Sequence, residues 1–178
     1  MRKLLSTAVL ALTLAAPAAA QGIMAEMHRD LNEVQQKMID LAKAIPAEKY
    51  DWRPGPGVRS VREVFLHVSG ENYQLPIYFG RPAPATTGIT TDFATTGAYE
   101  KKPLTKDQVV AELTASFTNL HQGLALNTDS NLGESIKFFG QDWTRARASV
   151  LTVTHLHEHL GQLIAYARQN SITPPWSR

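Results

Sequence analysis

The sequence predicts an all-α protein, a four-helix bundle with a long crossover between its second and third helices. Three observations carry this. Apolar residues recur at three- and four-residue spacing over separate stretches, two of those stretches open on capping boxes, and no convincing pair of alternating strands interrupts them.

The first twenty residues stand apart from that pattern. Arg2 and Lys3 precede an apolar run from Leu4 to Ala16, and Ala18, Ala19 and Ala20 supply small side chains before Gln21. This is the layout of a secretory signal that is cut away, so residues 1–20 are expected to be a signal peptide and 21–178 one bundle domain. The run is shorter than the roughly 20 residues a membrane span needs, and no later stretch is apolar enough to cross a bilayer. An exported, periplasmic or secreted protein with no membrane span after cleavage is the expectation.

The first helix is the clearest. Met24, Met27, Leu31, Val34, Met38, Leu41 and Ile45 form one unbroken stripe, which Pro46 ends. An irregular connection, "YDWRPGPG", follows. Ser60 and Glu63 form a capping box that opens the second helix, with Val61, Val64, Val68 and Leu75 on one face and Gly80 and Pro82 at its end. Residues 81–104 are rich in Pro, Gly, Thr and Ala without a persistent period, which predicts a long structureless connection of the kind that often serves function. Helices joined this way need not be simple antiparallel neighbours. Thr105 and Gln108 repeat the capping signature, and Val109, Leu113, Phe117, Leu120 and Leu124 form the stripe of the third helix. A turn-rich stretch follows, in which "IKFF" reads equally as a short strand or a loop. The fourth helix runs from near Thr144 to about Gln169, stopped by Thr173, Pro174 and Pro175.

Composition narrows the chemistry. The formal charge of +2 leans on Arg2 and Lys3, so the processed chain is near neutral and lacks the basic stripe that nucleic-acid binding needs. There is no cysteine. Thiolate metal sites are thereby excluded, and histidine and carboxylate remain as ligands.

Three of the six histidines lie in "HLHEHLGQ" on the fourth helix. At 100° per residue, Val153, Leu156, Leu160, Leu163 and Ala167 fall within about 80° and mark the buried stripe. His155 and His159 lie about 40° apart on one edge of it, while His157 sits roughly 160° from His159. One ion cannot reach all three, so His157 is expected to be a structural or surface residue. The spacing of His155 and His159 is the one by which a helix offers two imidazoles to a single ion. It is equally the spacing of two hydrogen-bonded core histidines, and spacing alone leaves both readings open.

His67, at the edge of the second helix's apolar face, is the best third ligand, because facing helices of a bundle build such sites between them. His28, in a charged neighbourhood, and His121, just before Gly123, read as surface residues. Glu71, one turn after His67, is a candidate to orient an imidazole or act as a base, or else a solvated carboxylate. Glu158, three residues after His155, is a candidate acceptor behind that ring. Tyr166 is expected to line the pocket, Gly161 to allow close helix approach, and Gln162 to cap a neighbouring group.

His155 to His159 also satisfies H-x-x-E-H, the inverted zincin pattern. Those peptidases take a carboxylate ligand from downstream, and none of the nineteen residues after His159 is Asp or Glu. The peptidase reading lacks its third ligand.

With these residues assembled, the chain resembles the DinB-like superfamily, which includes YfiT-type proteins and the thiol S-transferases that use bacillithiol or mycothiol. The resemblance rests on His67 in "VREVFLHVSGENY", on His155 with His159, Leu160, Gly161 and Gln162 as H-x-x-x-H-x-G-Q, and on the flanking "WRPGPGVRSVREV" and "YARQNSITPPWS". It implies a four-helix bundle with a long crossover, a divalent metal bound by His67, His155 and His159, and a homodimer. Three imidazoles leave a position open on zinc, the arrangement of a catalytic site. Zn2+ is therefore the expected cofactor, with Ni2+, Fe2+ or Mn2+ as alternatives, and a metal-dependent hydrolase or transferase of a small molecule the expected activity. A non-catalytic bundle that binds metal or ligand is the second reading.

Overall fold

The computed structural model describes residues 22–177. The signal-like segment 1–20 lies outside the described residues. The elements are α1 (Ile23–Ala44), α2 (Val61–Tyr78), α3 (Phe93–Tyr99), α4 (Lys106–Leu124), the strands β1 (Ser135–Phe138) and β2 (Gln141–Thr144), and α5 (Arg145–Gln169). The four long helices form the bundle. α2 packs on α4 and α5, and α1 packs on the same two from the other side, which gives a ring in the order α1, α4, α2, α5.

Each long helix buries the stripe its sequence marks. Leu31, Val34, Met38 and Leu41 of α1 are fully enclosed, with Val64 and Val68 of α2, Leu113, Phe117, Leu120 and Leu124 of α4, and Leu163 of α5. Both capping boxes close. The Glu63 amide donates to Ser60 Oγ at 3.3 Å and the Ser60 amide to Glu63 Oε2 at 2.7 Å. The Gln108 amide donates to Thr105 Oγ1, and the Thr105 amide returns a bond to Gln108 Oε1. Among the described residues, no helix is long and apolar enough to cross a membrane.

The tightest seam joins α2 to α4. Pro76 lies inside α2, where it has no N–H to give the carbonyl of Asn72. Asn119 of α4 supplies the missing donor, its Nδ2 lying 3.1 Å from Asn72 O, and Asn72 Nδ2 donates in turn to Ser116 Oγ. The proline ring rests on Gly123, where an added Cβ would stand 2.4 Å from Pro76 Cβ. Advancing one turn from Asn72 to Pro76 advances the partner from Asn119 to Gly123, so α2 and α4 run in the same direction. That is why a long crossover must join them.

The crossover is not structureless. It contains a 3-10 turn at Ala85–Thr87 and the two-turn α3, whose N-cap Asp92 accepts from the Ala94 amide at 2.9 Å. Seven residues, FATTGAY, are too few for a period to emerge, and Thr and Gly hide the helix further. The second departure is a β-hairpin. β1 and β2 pair antiparallel with Phe138 opposite Gln141, so the turn is Phe139–Gly140. Both turn residues have positive φ, 51° and 77°. That is the pattern of a type I′ turn, in which glycine and asparagine are the usual occupants. A phenylalanine there carries local strain on the order of 1–3 kcal/mol, and this mismatch conceals the turn in the sequence.

Two smaller expectations also change. His28 and His121 are half-buried and stack with ring centroids 6.2 Å apart, His121 Nε2 lying 2.7 Å from Gln35 Oε1, so neither is a simple surface residue. Gly161 faces open space, with nothing within 4 Å of where a Cβ would stand, and permits no close approach.

Two of the helical glycines, Gly123 and Gly161, give opposite outcomes for one substitution. Gly123→Ala is expected to destabilise the fold by about 1–3 kcal/mol, because the clash with Pro76 outweighs the helix preference for alanine. Gly161→Ala is expected to stabilise it by about 0.5–1 kcal/mol. Denaturant unfolding of both variants against the parent reads the two signs.

Candidate metal centre

α2 and α5 each present two titratable side chains four residues apart on their shared face: His67 and Glu71 from one, His155 and His159 from the other. One ligand atom from each of the four lies within 4.8 Å of every other. His67 Nε2 is 3.2 Å from Glu71 Oε1, His155 Nε2 is 2.8 Å from Glu71 Oε2, and the Nε2 atoms of His155 and His159 are 3.1 Å apart. The group could hold a metal ion. His159 is buried and the other three are half-buried.

What fixes the rings is on their far sides. His67 Nδ1 lies 3.2 Å from Glu100 Oε2, His155 Nδ1 is 3.1 Å from Glu158 Oε2, and His159 Nδ1 is 3.1 Å from Gln162 Oε1. Gln162 Nε2 donates onward to the hydroxyl of Tyr166 at 2.9 Å, which orients its carbonyl toward the ring. With acceptors occupying every Nδ1–H, each imidazole turns its Nε2 lone pair inward. Two bare nitrogens at 3.1 Å repel unless a proton or a cation lies between them. Glu71 Oε2 adds to this, being buried with no well-directed hydrogen bond. A converging set of lone pairs, each backed by a tether, fits a divalent ion.

The electrostatics follow from this crowding. Without an ion, Nε2 of His155 and of His67 takes up a proton instead; burial disfavours the Glu71 carboxylate, yet hydrogen bonds from those two protonated rings, with their charges, outweigh it and hold its pKa down at about 2. The Glu71 hydrogen bond raises the His155 pKa above the ordinary imidazole value against the effect of burial. Burial lowers that of His159, only partly opposed by Gln162, while neighbouring His155 and His67 press it down further. Glu71 is thus an ionised acceptor at neutral pH and a weak base.

His157 points away and lies 3.1 Å from Asp30 Oδ2 of α1. Glu158 stands behind His155 rather than in the cluster. Glu100 is a site residue that the sequence does not single out. It caps α3 at the end of the crossover, is buried, and also accepts from Arg59 Nε at 2.8 Å. Its only sequence signal is that it is an acid in the connection, and Asp92 shares that. Two cavities open beside the cluster. One of about 550 Å3 has Arg59, Glu63, Glu100, Lys101 and Gln162 in its wall, and one of about 220 Å3 has Glu71 and His155.

The family model that describes the DinB superfamily matches residues 30–163, most of the chain and all four clustered residues. The chain belongs to the DinB superfamily. Solved structures agree on the fold. A DinB-like protein from Bacillus cereus ATCC 10987 is 16% identical with a TM-score of 0.66, covering 87% of this chain and 97% of its own. The DinB-like protein YjoA from Bacillus subtilis is 15% identical with a TM-score of 0.63, over 83% of this chain and 94% of its own. An uncharacterised Escherichia coli UTI89 protein is 19% identical with a TM-score of 0.60, over 86% and 97%. Comparison with curated proteins finds no match.

In this DinB-superfamily chain the charge pair at the cluster has a readable pH signature. Glu71, with its pKa depressed from 4.5, contributes stability present above that value and lost as pH falls toward about 2. His155, with its pKa raised from 6.5, contributes stability present below that value and lost as pH rises past the raised one. His159 works in the opposite direction, losing stability below 6.5. The measurement is therefore a difference between chelator-treated parent and Glu71→Gln. The parent's advantage is expected to be largest between pH 4.5 and 6.5 and to shrink on both sides.

Proposed function

We propose that this chain is a divalent-metal-dependent enzyme, a hydrolase or a thiol or other group transferase, that acts on a small molecule after export from the cytoplasm. One observation carries the metal reading: three imidazoles, each tethered at Nδ1, converge through Nε2 beside an ionised carboxylate whose Oε2 has no well-directed partner. His67, His155 and His159 are the proposed ligands. Glu71 is the carboxylate at the fourth corner, too acidic to serve well as a base and suited to balance the ion's charge. Zn2+ is the proposed ion on ligand type and availability, and six-coordinate Ni2+, Fe2+ or Mn2+ suits the same His and carboxylate donors.

Catalysis rather than a closed structural site is supported by the cavity of about 220 Å3 whose wall includes Glu71 and His155, with the larger one lying against Glu100 and Gln162 behind the rings. When bound, the ion supplies Lewis-acid chemistry to a donor atom of the substrate. The chain's own residues do the positioning. Glu100, Glu158 and Gln162 hold the three rings, and Arg59 neutralises Glu100 behind His67. With no cysteine in the chain, any thiol in a transfer reaction belongs to a substrate. Export is supported by the charged start and apolar run of residues 1–16.

Elemental analysis of the purified chain is expected to find about one divalent ion per chain. Alanine at His67, His155 or His159 is expected to abolish binding, while His157→Ala keeps it. Loss of metal in the His157 variant would refute the ligand set. Glu100→Gln, which weakens the tether on His67, is expected to lower metal affinity by about 10–100-fold, read by competition with a chromogenic chelator. Expressed with its leader, the protein is expected in the periplasmic or secreted fraction at a mass reduced by roughly twenty residues; an intact cytosolic chain would refute export.

A further inference from the structure

The cavity of about 220 Å3 beside the cluster has an unusual division of its wall. Glu71 and His155 form one side, and four apolar side chains, Leu75, Phe93, Phe139 and Leu151, form the rest. Leu75 and Leu151 belong to the bundle. Phe93 and Phe139 do not: Phe93 is the first residue of α3 in the crossover, and Phe139 is in the hairpin turn. Their rings meet with centroids 5.2 Å apart. The same two residues also line a second cavity of about 380 Å3 on their outer side, with Tyr78, Thr91, Lys137 and Gly140. They form the partition between the space at the cluster and the exterior.

Both break a local rule. Phe93 is 58% exposed, although a large apolar side chain gains from burial. Phe139 holds a φ of 51°, in the left-handed region that a side chain of its size seldom adopts. Phe93 stands outside the core, and Phe139 packs only on its edge, against Tyr78 and Phe138. Together they place apolar surface against one wall of a site that is otherwise polar.

We propose that this cavity takes a neutral aryl or branched alkyl group of the substrate, with Phe93 and Phe139 as its lid-side wall and the reacting end of the molecule turned toward Glu71 and His155. The inference rests on the metal-centre reading for what happens at that end, and on the cavity alone for the apolar group. Size favours it, since an apolar protein cavity of about 150 Å3 already accepts benzene. Charge favours it as well. The Glu71 carboxylate beside the cavity repels an anionic group, and no Lys or Arg lines the wall to attract one.

The test uses the full metal-loaded chain and two probes with the same metal-binding head, acetohydroxamate and benzohydroxamate, titrated calorimetrically. Benzohydroxamate is expected to bind at least about tenfold more tightly, the gain from burying a phenyl ring. Phe93→Ala, at an exposed position that leaves the fold intact, and Leu151→Phe, which fills the cavity, are each expected to erase most of that preference. Equal affinities in the parent, or a preference untouched by both variants, overturn the inference. A metal-free arm separates the two readings: toluene is expected to shift the methyl resonances of Leu75 and Leu151. If toluene shifts them while neither hydroxamate binds and no metal is found, the cavity stands and the metal centre falls. If the hydroxamates bind without preference and toluene shifts nothing, the metal centre stands and the apolar cavity falls.

Discussion

Three imidazoles and a carboxylate are held within 4.8 Å of one another by two helices. Inward-turned imidazole nitrogens and an ionised carboxylate do not gather spontaneously in a half-buried space, because each loses water there and the nitrogens lose more against each other. The bundle must therefore be stable enough to impose the arrangement. It does so by taking both helices' apolar stripes into one core and by fixing each ring from behind, so that the unfavourable cluster is offset by Val64, Val68 and Leu163 nearby and by three separate acceptors. A strained site supported by an ordinary core is how proteins generally accommodate function.

The position of α2 follows from the same constraint. It carries two of the four groups toward α5 and, on its other side, packs against α4 through Pro76, Gly123 and the Asn72, Ser116 and Asn119 hydrogen bonds. Those bonds specify a register as well as adding energy, because a slip by one turn would leave the Asn72 carbonyl without a donor. The axial position of His67 relative to α5 is thus decided partly at a seam it does not touch. Parallel α2 and α4 also require a long return path, and that path is where Phe93 and Glu100 reside.

Much of this is legible in the sequence because it is periodic. The four stripes, both capping boxes and the pairing of His155 with His159 at four-residue spacing are local patterns, and local patterns survive without a structure. His67 is legible only by joining two patterns from different helices, and its ring lies 4.7 Å from that of His159, centroid to centroid. What cannot be read is non-local or irregular. Glu100 is 33 residues from His67 in sequence and has no periodic marker. Phe139 occupies a turn in defiance of turn preference, so the rule that finds hairpins passes over it. Gly161 sits in a motif that suggests close packing, and only the folded chain reveals its open face. His28 and His121, each ordinary alone, become a stacked pair through the packing of α1 on α4.

Glu100 has one more implication. It ends α3, accepts from Arg59 on the approach to α2, and braces His67, so a single carboxylate joins the crossover to the cluster. The end of the crossover and the far side of the His67 ring are therefore fixed by one and the same side chain. The connection that supplies part of the cavity wall thus also helps to aim one ring of the cluster, and the return path imposed by parallel helices is put to use twice.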